Sequence, residues 1–210
     1  MFSQFNDQQL QAVYYLDSPL LVLAGAGSGK TKVITGKIVH LVRHHDYLPR
    51  QIAAITFTNK AAQEMRERVA TVLPAQVSGS LNICTFHALG LKIIRNEHQH
   101  LGLKKHFSIL DSTDCAKILT ELVSTSGKET IFHIQHQISL WKNALISPET
   151  AILSAQNDWE HSAANAYASY NATLAAYHAV DFDDLILLPL KLLREREKIR
   201  HFWQIKFSER

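Results

Sequence analysis

A chain of 210 residues, 46% hydrophobic and 20% charged, is long enough to bury a proper core and has the balance of an ordinary globular protein, not of a disordered or fibrous one. The formal net charge is +3, with the Lys and Arg excess inside residues 1–90, which permits a polyanionic partner without requiring one. No apolar run approaches membrane-spanning length, no signal-peptide core follows Met1, and Cys84 and Cys115 lack CxxC spacing; the expectation is a cytoplasmic protein of a reducing compartment with no membrane partner.

In chain order, a helical segment is expected over Gln9 to Leu16, ending at Asp17-Ser18-Pro19. Leu20 to Leu23 reads as a buried strand, Ala24 to Gly29 as a tight loop of small residues, and Lys30 as a helix start. Val33, Ile34, Ile38, Leu41 and Val42 then recur at helical spacing up to His44-His45-Asp46, and Pro49 closes the connection. Ile52 to Phe57 is the next strand; Thr58 or Asn59 caps a helix carrying Ala62, Met65, Val69 and Val72. Leu81 to Thr85 is a third strand, followed by Phe86-His87 and a helix through Ile93 and Ile94. Strand, loop and helix three times over argue for a parallel α/β sheet.

The pattern then changes. Cys115, Ile118, Leu119 and Leu122 mark one helix after the caps Ser112-Thr113; Ile131, Ile134, Ile138, Trp141 and Leu145 mark a second. Trp159, Ala163, Tyr170, Leu174 and Tyr177 mark a third. Between about residues 90 and 180 no strand is expected, and core packing accounts for the aromatic stripe better than a base-stacking surface. Asp181, Asp183 and Asp184 precede Leu185 to Leu190; a metal site is conceivable there, but carboxylates favouring a helix N-terminus explain them more simply. A last helix runs from Glu197 to Phe207, before Ser208-Glu209-Arg210.

The chemistry concentrates in Ala24-Gly25-Ala26-Gly27-Ser28-Gly29-Lys30-Thr31. Residues without bulk let consecutive N–H groups curl around phosphate oxygens, and the following helix points its positive end at the same anion. Lys30 then reaches the β- and γ-phosphates, while the Thr31 hydroxyl offers an oxygen to Mg2+. Ala24 stands where the strict pattern has Gly, a small-for-small variation. Twelve histidines raise the question of a metal, but His133/His136 and His98/His100 lack the carboxylate or thiolate company of a zinc site and read as solvated helix faces.

Several motifs in fixed order resemble the UvrD/Rep/PcrA family of superfamily one DNA helicases: FNDQQLQAV at 5–13, LVLAGAGSGKT at 21–31, AAITFTNKAAQEMRERV at 53–69, CTFHALGLKII at 84–94 and VDFDDLILLPL at 180–190. With Trp141-Lys142-Asn143 between them, the last two are most similar to the Rep branch. The resemblance implies a P-loop, RecA-like parallel sheet core, incomplete here, with an inserted all-helical domain: residues 1–90 the first part of the ATP-binding core, 91–180 the insertion, 181–210 the return to the core. It implies ATP and Mg2+ as cofactors. Gln9 then reads the adenine edge; Ala24, Gly25, Ala26, Gly27, Ser28, Gly29, Lys30 and Thr31 bind the triphosphate, with Lys30 and Thr31 catalytic and Thr31 on the metal. Phe57, Thr58, Asn59, Thr85, Phe86 and His87 contact single-stranded DNA, and the partners are single strands and single/double-strand junctions. A monomer or weak dimer stepping 3′ to 5′ is implied, with replication or repair proteins as further partners.

The chain also departs from that pattern. The Asp-Glu nucleotide motif, the arginines that stabilise the transferring phosphoryl group and the second core domain do not occur in it, so weak magnesium-dependent nucleotide binding without turnover is expected of the chain alone. Two alternatives are a non-catalytic nucleotide- and single-strand-binding fragment and a helicase subunit of a helicase–nuclease complex; the compact insertion and the Rep-like motifs disfavour the latter. Because an apolar strand edge left unpaired is sticky, a marginally stable, aggregation-prone chain is expected. Thermal unfolding followed by circular dichroism checks this, and a sharp cooperative melt of soluble monomer contradicts it.

Overall fold

The structure, a computed structural model, describes residues 4–45, 47–123 and 127–207; Phe2, Asp46 and Ser208-Glu209-Arg210 lie outside the described residues. The chain divides into two compact units, one of residues 1–86 with 201–210 and one of residues 87–200.

In the first unit, α1 (Asp7–Tyr14) starts two residues earlier than its apolar spacing suggests, because Asn6 and Gln9 close a capping box. Asn6 Oδ1 accepts from the Gln9 N–H at 2.8 Å and Gln9 Oε1 from the Asn6 N–H at 3.1 Å, satisfying two donors a bare helix end leaves open. Then α2 (Lys30–His44) follows the small-residue loop and buries Val33, Thr35, Gly36, Ile38 and Val39. Gly36 is the contact point with the N-terminal segment: a Cβ there would meet the Phe5 ring at 2.8 Å.

Strand β1 (Ala53–Thr56) lies parallel to β2 (Asn82–Thr85), in the register Ala53↔Asn82 to Thr56↔Thr85. Between them run α3 (Asn59–Ala70), capped by Thr58 Oγ1 accepting from the Ala61 N–H at 3.1 Å, and the short α4 (Ala75–Ser80). A parallel pair needs such a crossover, and its helix must cover the sheet. Ala62, Met65 and Val69 of α3 do so, packing with Ile38, Val39, Ile52, Ala54, Leu73 and Ile83.

The expected strand Leu20 to Leu23 does not form. The segment is irregular, with Leu21 80% and Leu23 86% exposed. Apolar composition alone makes no strand: a ladder partner is required, and among the described residues β1 and β2 pair only with each other.

In the second unit, α6 (Ser112–Val123), α7 (Lys128–Asn143), α8 (Pro148–Ser154) and α9 (Asp158–Ala176) enclose a core centred on Leu119, Ile134, Ile138, Tyr167 and Leu174. Asp111, not Ser112 or Thr113, caps α6, accepting from the N–H groups of Thr113 and Asp114 at 2.8 and 2.9 Å. The expected stripes fray at their ends: Leu145 lies past α7 with φ +58°, while Trp159 and Tyr177 are exposed. Contrary to the expectation of no strand here, β3 (Ser108–Ile109) pairs in parallel with β4 (Ala179–Val180). Two-residue strands are too short to show alternation in a sequence.

Before and after these helices come α5 (Phe86–Glu97) and α10 (Asp184–Glu195), and α11 (Glu197–Phe207) closes the described chain. Ile94 of α5, Val180 and Leu185 share a second cluster of this unit. Gly90 makes that approach possible, because a Cβ at this position would lie 1.8 Å from the Leu185 carbonyl oxygen. Gly90→Ala should therefore cost about 3 kcal/mol, the upper end for overpacking against backbone, since no side chain can rotate away. Urea unfolding monitored by circular dichroism measures it, and an unchanged midpoint would refute the contact.

Candidate nucleotide and nucleic-acid site

The loop before α2 is built on two glycines in the left-handed region, Gly27 at φ +76° and Gly29 at φ +86°. A side chain at either is strained, and at Gly29 a Cβ would also press on Gln9 Nε2 at 2.9 Å. Ser28 tightens the turn, its hydroxyl donating to the Gly25 carbonyl at 2.7 Å. Lys30 folds back over the loop, and Nζ donates to the carbonyls of Ala24 and Gly25 at 2.9 and 2.7 Å. The ammonium group thus closes a ring of loop residues in which Ala24 to Ser28 are all exposed, and around Gly25 and Gly27 a Cβ would meet nothing within 4 Å. The loop is open to solvent, and a phosphate approaching it competes with two backbone carbonyls for one flexible cation.

Gln9 joins this arrangement across 19 residues of sequence. Its Nε2 donates to the Ser28 carbonyl at 2.9 Å while its Oε1 serves the α1 capping box. One N–H and one acceptor lone pair remain for a base edge. Thr31, half-buried in the first turn of α2, brings a hydroxyl, a hard oxygen suited to Mg2+ that keeps most of its waters and phosphate ligands.

A second group assembles at the carboxyl ends of the parallel pair, the edge where α/β sheets carry their ligands. Thr56 stands opposite Thr85, so the residues that leave the two strands, Phe57-Thr58 and Phe86, emerge side by side. Phe57 is 94% and Phe86 61% exposed, large apolar rings that no core holds. Thr58 is committed to its cap and Asn59 begins α3, whereas Thr85 is buried. His87 belongs to the second unit, where its ring meets Phe182 edge-on with centroids 6.4 Å apart.

The acidic cluster does something else than its position before a helix suggests. Asp181 Oδ2 and Asp184 Oδ1 accept from Lys142 Nζ at 2.7 and 2.8 Å, the lysine being 1% exposed. The two aspartates also bind one another's backbone N–H groups, at 2.9 and 3.2 Å, and the Tyr170 hydroxyl donates to Asp181 at 2.9 Å. Asn143 reaches Asp183 at 3.2 Å. All three carboxylates of the cluster are therefore taken up by protein donors, and among the described residues no three His, Cys, Asp or Glu side chains form a metal-binding group. Sequence reasoning missed Lys142 as their partner because it lies 39 and 42 residues upstream. The available signal was a lysine on the apolar face of α7, one residue after Trp141.

Burial drives Asp184 up to about 6, with the Asp181 charge adding and Lys142 opposing. For Lys142 burial acts downward, but the charges and hydrogen bonds of Asp184 and Asp181 outweigh it and hold the pKa above its ordinary value. The Tyr170 hydroxyl is pushed up by burial and by the Asp181 charge.

The family model for the UvrD/REP helicase N-terminal domain matches residues 5–209. The chain belongs to the UvrD/Rep helicase family. It is 48% identical over 206 residues to "ATP-dependent DNA helicase Rep" of Escherichia coli (strain K12), covering 97% of this chain and 31% of that protein. Its identity to the protein of the same name from Buchnera aphidicola subsp. Baizongia pistaciae (strain Bp) is 45% over 204 residues, 97% of this chain and 30% of that one. Against "ATP-dependent DNA helicase PcrA" of Bacillus subtilis (strain 168) it is 36% over 212 residues, 99% and 29%. The chain thus spans about a third of the length of these relatives. For a UvrD/Rep family member, mostly helical with small parallel sheets, the structure is compatible with an incomplete α/β core of the P-loop type. No helix among the described residues is long and apolar enough to cross a membrane.

The buried triad yields a pH-dependent expectation. Replacing Lys142 with Met strands two buried carboxylates and should cost about 3–5 kcal/mol at pH 7. Without the cation, the Asp184 carboxyl, already raised by burial, rises further above its unfolded value, so the folded form takes up a proton first and stability returns as pH falls. Urea midpoints of Lys142→Met at pH 7 and pH 5 check this; a small loss at pH 7, or none recovered at pH 5, refutes the assignment.

Proposed function

We propose that this chain supplies the nucleotide-binding loop and part of the single-stranded DNA track of an ATP-dependent 3′-to-5′ DNA helicase. The observation that carries the reading is the Ala24–Thr31 loop, with Gly27 and Gly29 in left-handed geometry, an ammonium group folded over it and Gln9 tied to its far end. Such a loop has little use without an anion, since two positions that only glycine fills without strain and a charged side chain aimed at carbonyls stabilise no core.

In this reading Lys30 leaves the Ala24 and Gly25 carbonyls for the terminal phosphates of ATP, a stronger charge-assisted contact. Gly25 to Gly29 give the phosphates close access to backbone, and the α2 N-terminus adds its positive end. Mg2+, when bound, neutralises phosphate charge; Thr31 is the residue of this chain that would hold it. Phe57 and Phe86 offer faces on which bases stack without regard to sequence, worth about 1–3 kcal/mol per base. Thr58, Asn59 and Thr85 complete the proposed DNA contacts of this unit, His87 is a further contact proposed for the other unit, and strands or single/double-strand junctions are the substrates.

Lys30→Ala removes the charge-assisted phosphate contact, so affinity for magnesium-ATP should fall by about thirtyfold, about 2 kcal/mol, with single-stranded DNA binding retained. Fluorescent-nucleotide titration and oligonucleotide anisotropy on the same preparation measure the two. Unchanged nucleotide affinity sinks the loop assignment.

A further inference from the structure

The opposite end of α2 carries a second arrangement of lone pairs that the nucleotide reading does not use. His40 and His45 bring their Nε2 atoms to 3.0 Å, and the His44 ring stands 5.3 Å from that of His40. Tyr14 packs edge-on against His40 at 4.8 Å between centroids, which holds the ring in place from α1. His40 Nδ1 is buried without a hydrogen-bond partner.

As a hydrogen-bonded pair, one Nε2 is protonated and the other bare, and His40 Nδ1 is unpartnered with or without a bound ion. Burial, the neighbouring His45 and His44 and the Lys37 ammonium all hold the His40 pKa below its ordinary value, which keeps the ring neutral. A neutral imidazole whose Nε2 lies against another Nε2 is the donor arrangement that a borderline-soft cation takes. Two nitrogens at the zinc bond length of about 2.0–2.1 Å in a tetrahedral shell stand about 3.3 Å apart, a few tenths of an ångström from the spacing here.

We propose that His40 and His45 chelate a divalent transition ion of the zinc class. With no third ligand converging among the described residues, water completes the shell and the ion is exchangeable. The electrostatics of the position support it. His44 and His45 lie at the last turn and C-cap of α2, where unpaired carbonyls leave negative partial charge, and Lys37, the nearby cation, is engaged by the Tyr15 carbonyl at 2.6 Å. The site is separate from the phosphate loop, since the 15 residues of α2 place its ends about 21 Å apart. The bound ion ties the helix to the residue that leaves it.

Calorimetric titration of the tag-free chain with Zn2+ at neutral pH tests this. One equivalent should bind, and His40→Gln and His45→Gln should each weaken binding at least about tenfold. The double variant His133→Gln/His136→Gln, which removes a histidine pair elsewhere, should leave binding intact. His45 is exposed, so its variant reports even where His40→Gln fails to fold. Absence of one-to-one binding, an affinity unchanged in His45→Gln, or loss in the His133/His136 variant overturns the proposal.

Discussion

The second unit depends on one buried cation. Lys142 is nearly inaccessible, and taking an ammonium group out of water costs several kcal/mol unless its three hydrogens find partners. Asp181 and Asp184 accept two of them, and the lysine also lies 5.4 Å from the centre of the Tyr170 ring. That requirement ties the end of α7 to the turn between β4 and α10, and through Tyr170 to the middle of α9. Apolar packing gives this unit its mass, but any helix face of similar composition could slide; the geometry of one lysine between two carboxylates cannot. Burial, with the neighbouring Asp181 charge adding and Lys142 opposing, is the reason Asp184 holds its proton to a higher pH than an exposed aspartate.

The first unit is governed by a different constraint, the need of parallel strands for partners. Where β1 and β2 satisfy one another, the backbone is ordered, α3 covers the pair, and Phe57 and Phe86 are carried to the same end. Where Leu20 to Leu23 has no ladder, the same kind of sequence remains irregular and exposed. The small-residue loop nevertheless keeps its shape without a strand beneath it, because its conformation is held locally, by two glycines, the Ser28 hydroxyl, Lys30 and the Gln9 amide. The group around Phe57 and Phe86 is more dependent on tertiary structure, since it exists only in the register of two strands 29 residues apart.

Both ends of α2 are polar sites joined by a buried middle, and the contrast between them is instructive. At its start, chemistry is written in spacing, Gly29-Lys30-Thr31, and can be read directly. At its end, His44 and His45 announce only a polar exit, and the relation of His45 to His40 appears once the last turn is wound and α1 presses Tyr14 against it.

What the sequence by itself determined were the features whose causes lie within a few residues: the small-residue loop and its lysine, a cap at Thr58 or Asn59, the core-facing spacing of α3 and α7, the bounds of α11, and the ordered motifs that mark the family. Capping and periodicity act over one or two turns, so a linear reading contains everything they need. Tertiary structure decided whether Leu20 to Leu23 became a strand, that Ser108-Ile109 found Ala179-Val180, and that an apparent helix-terminus cluster at Asp181 to Asp184 neutralises Lys142. These outcomes rest on hydrogen bonds and charge pairs between groups tens of residues apart, and a backbone or carboxylate carries no local sign of which distant partner will satisfy it.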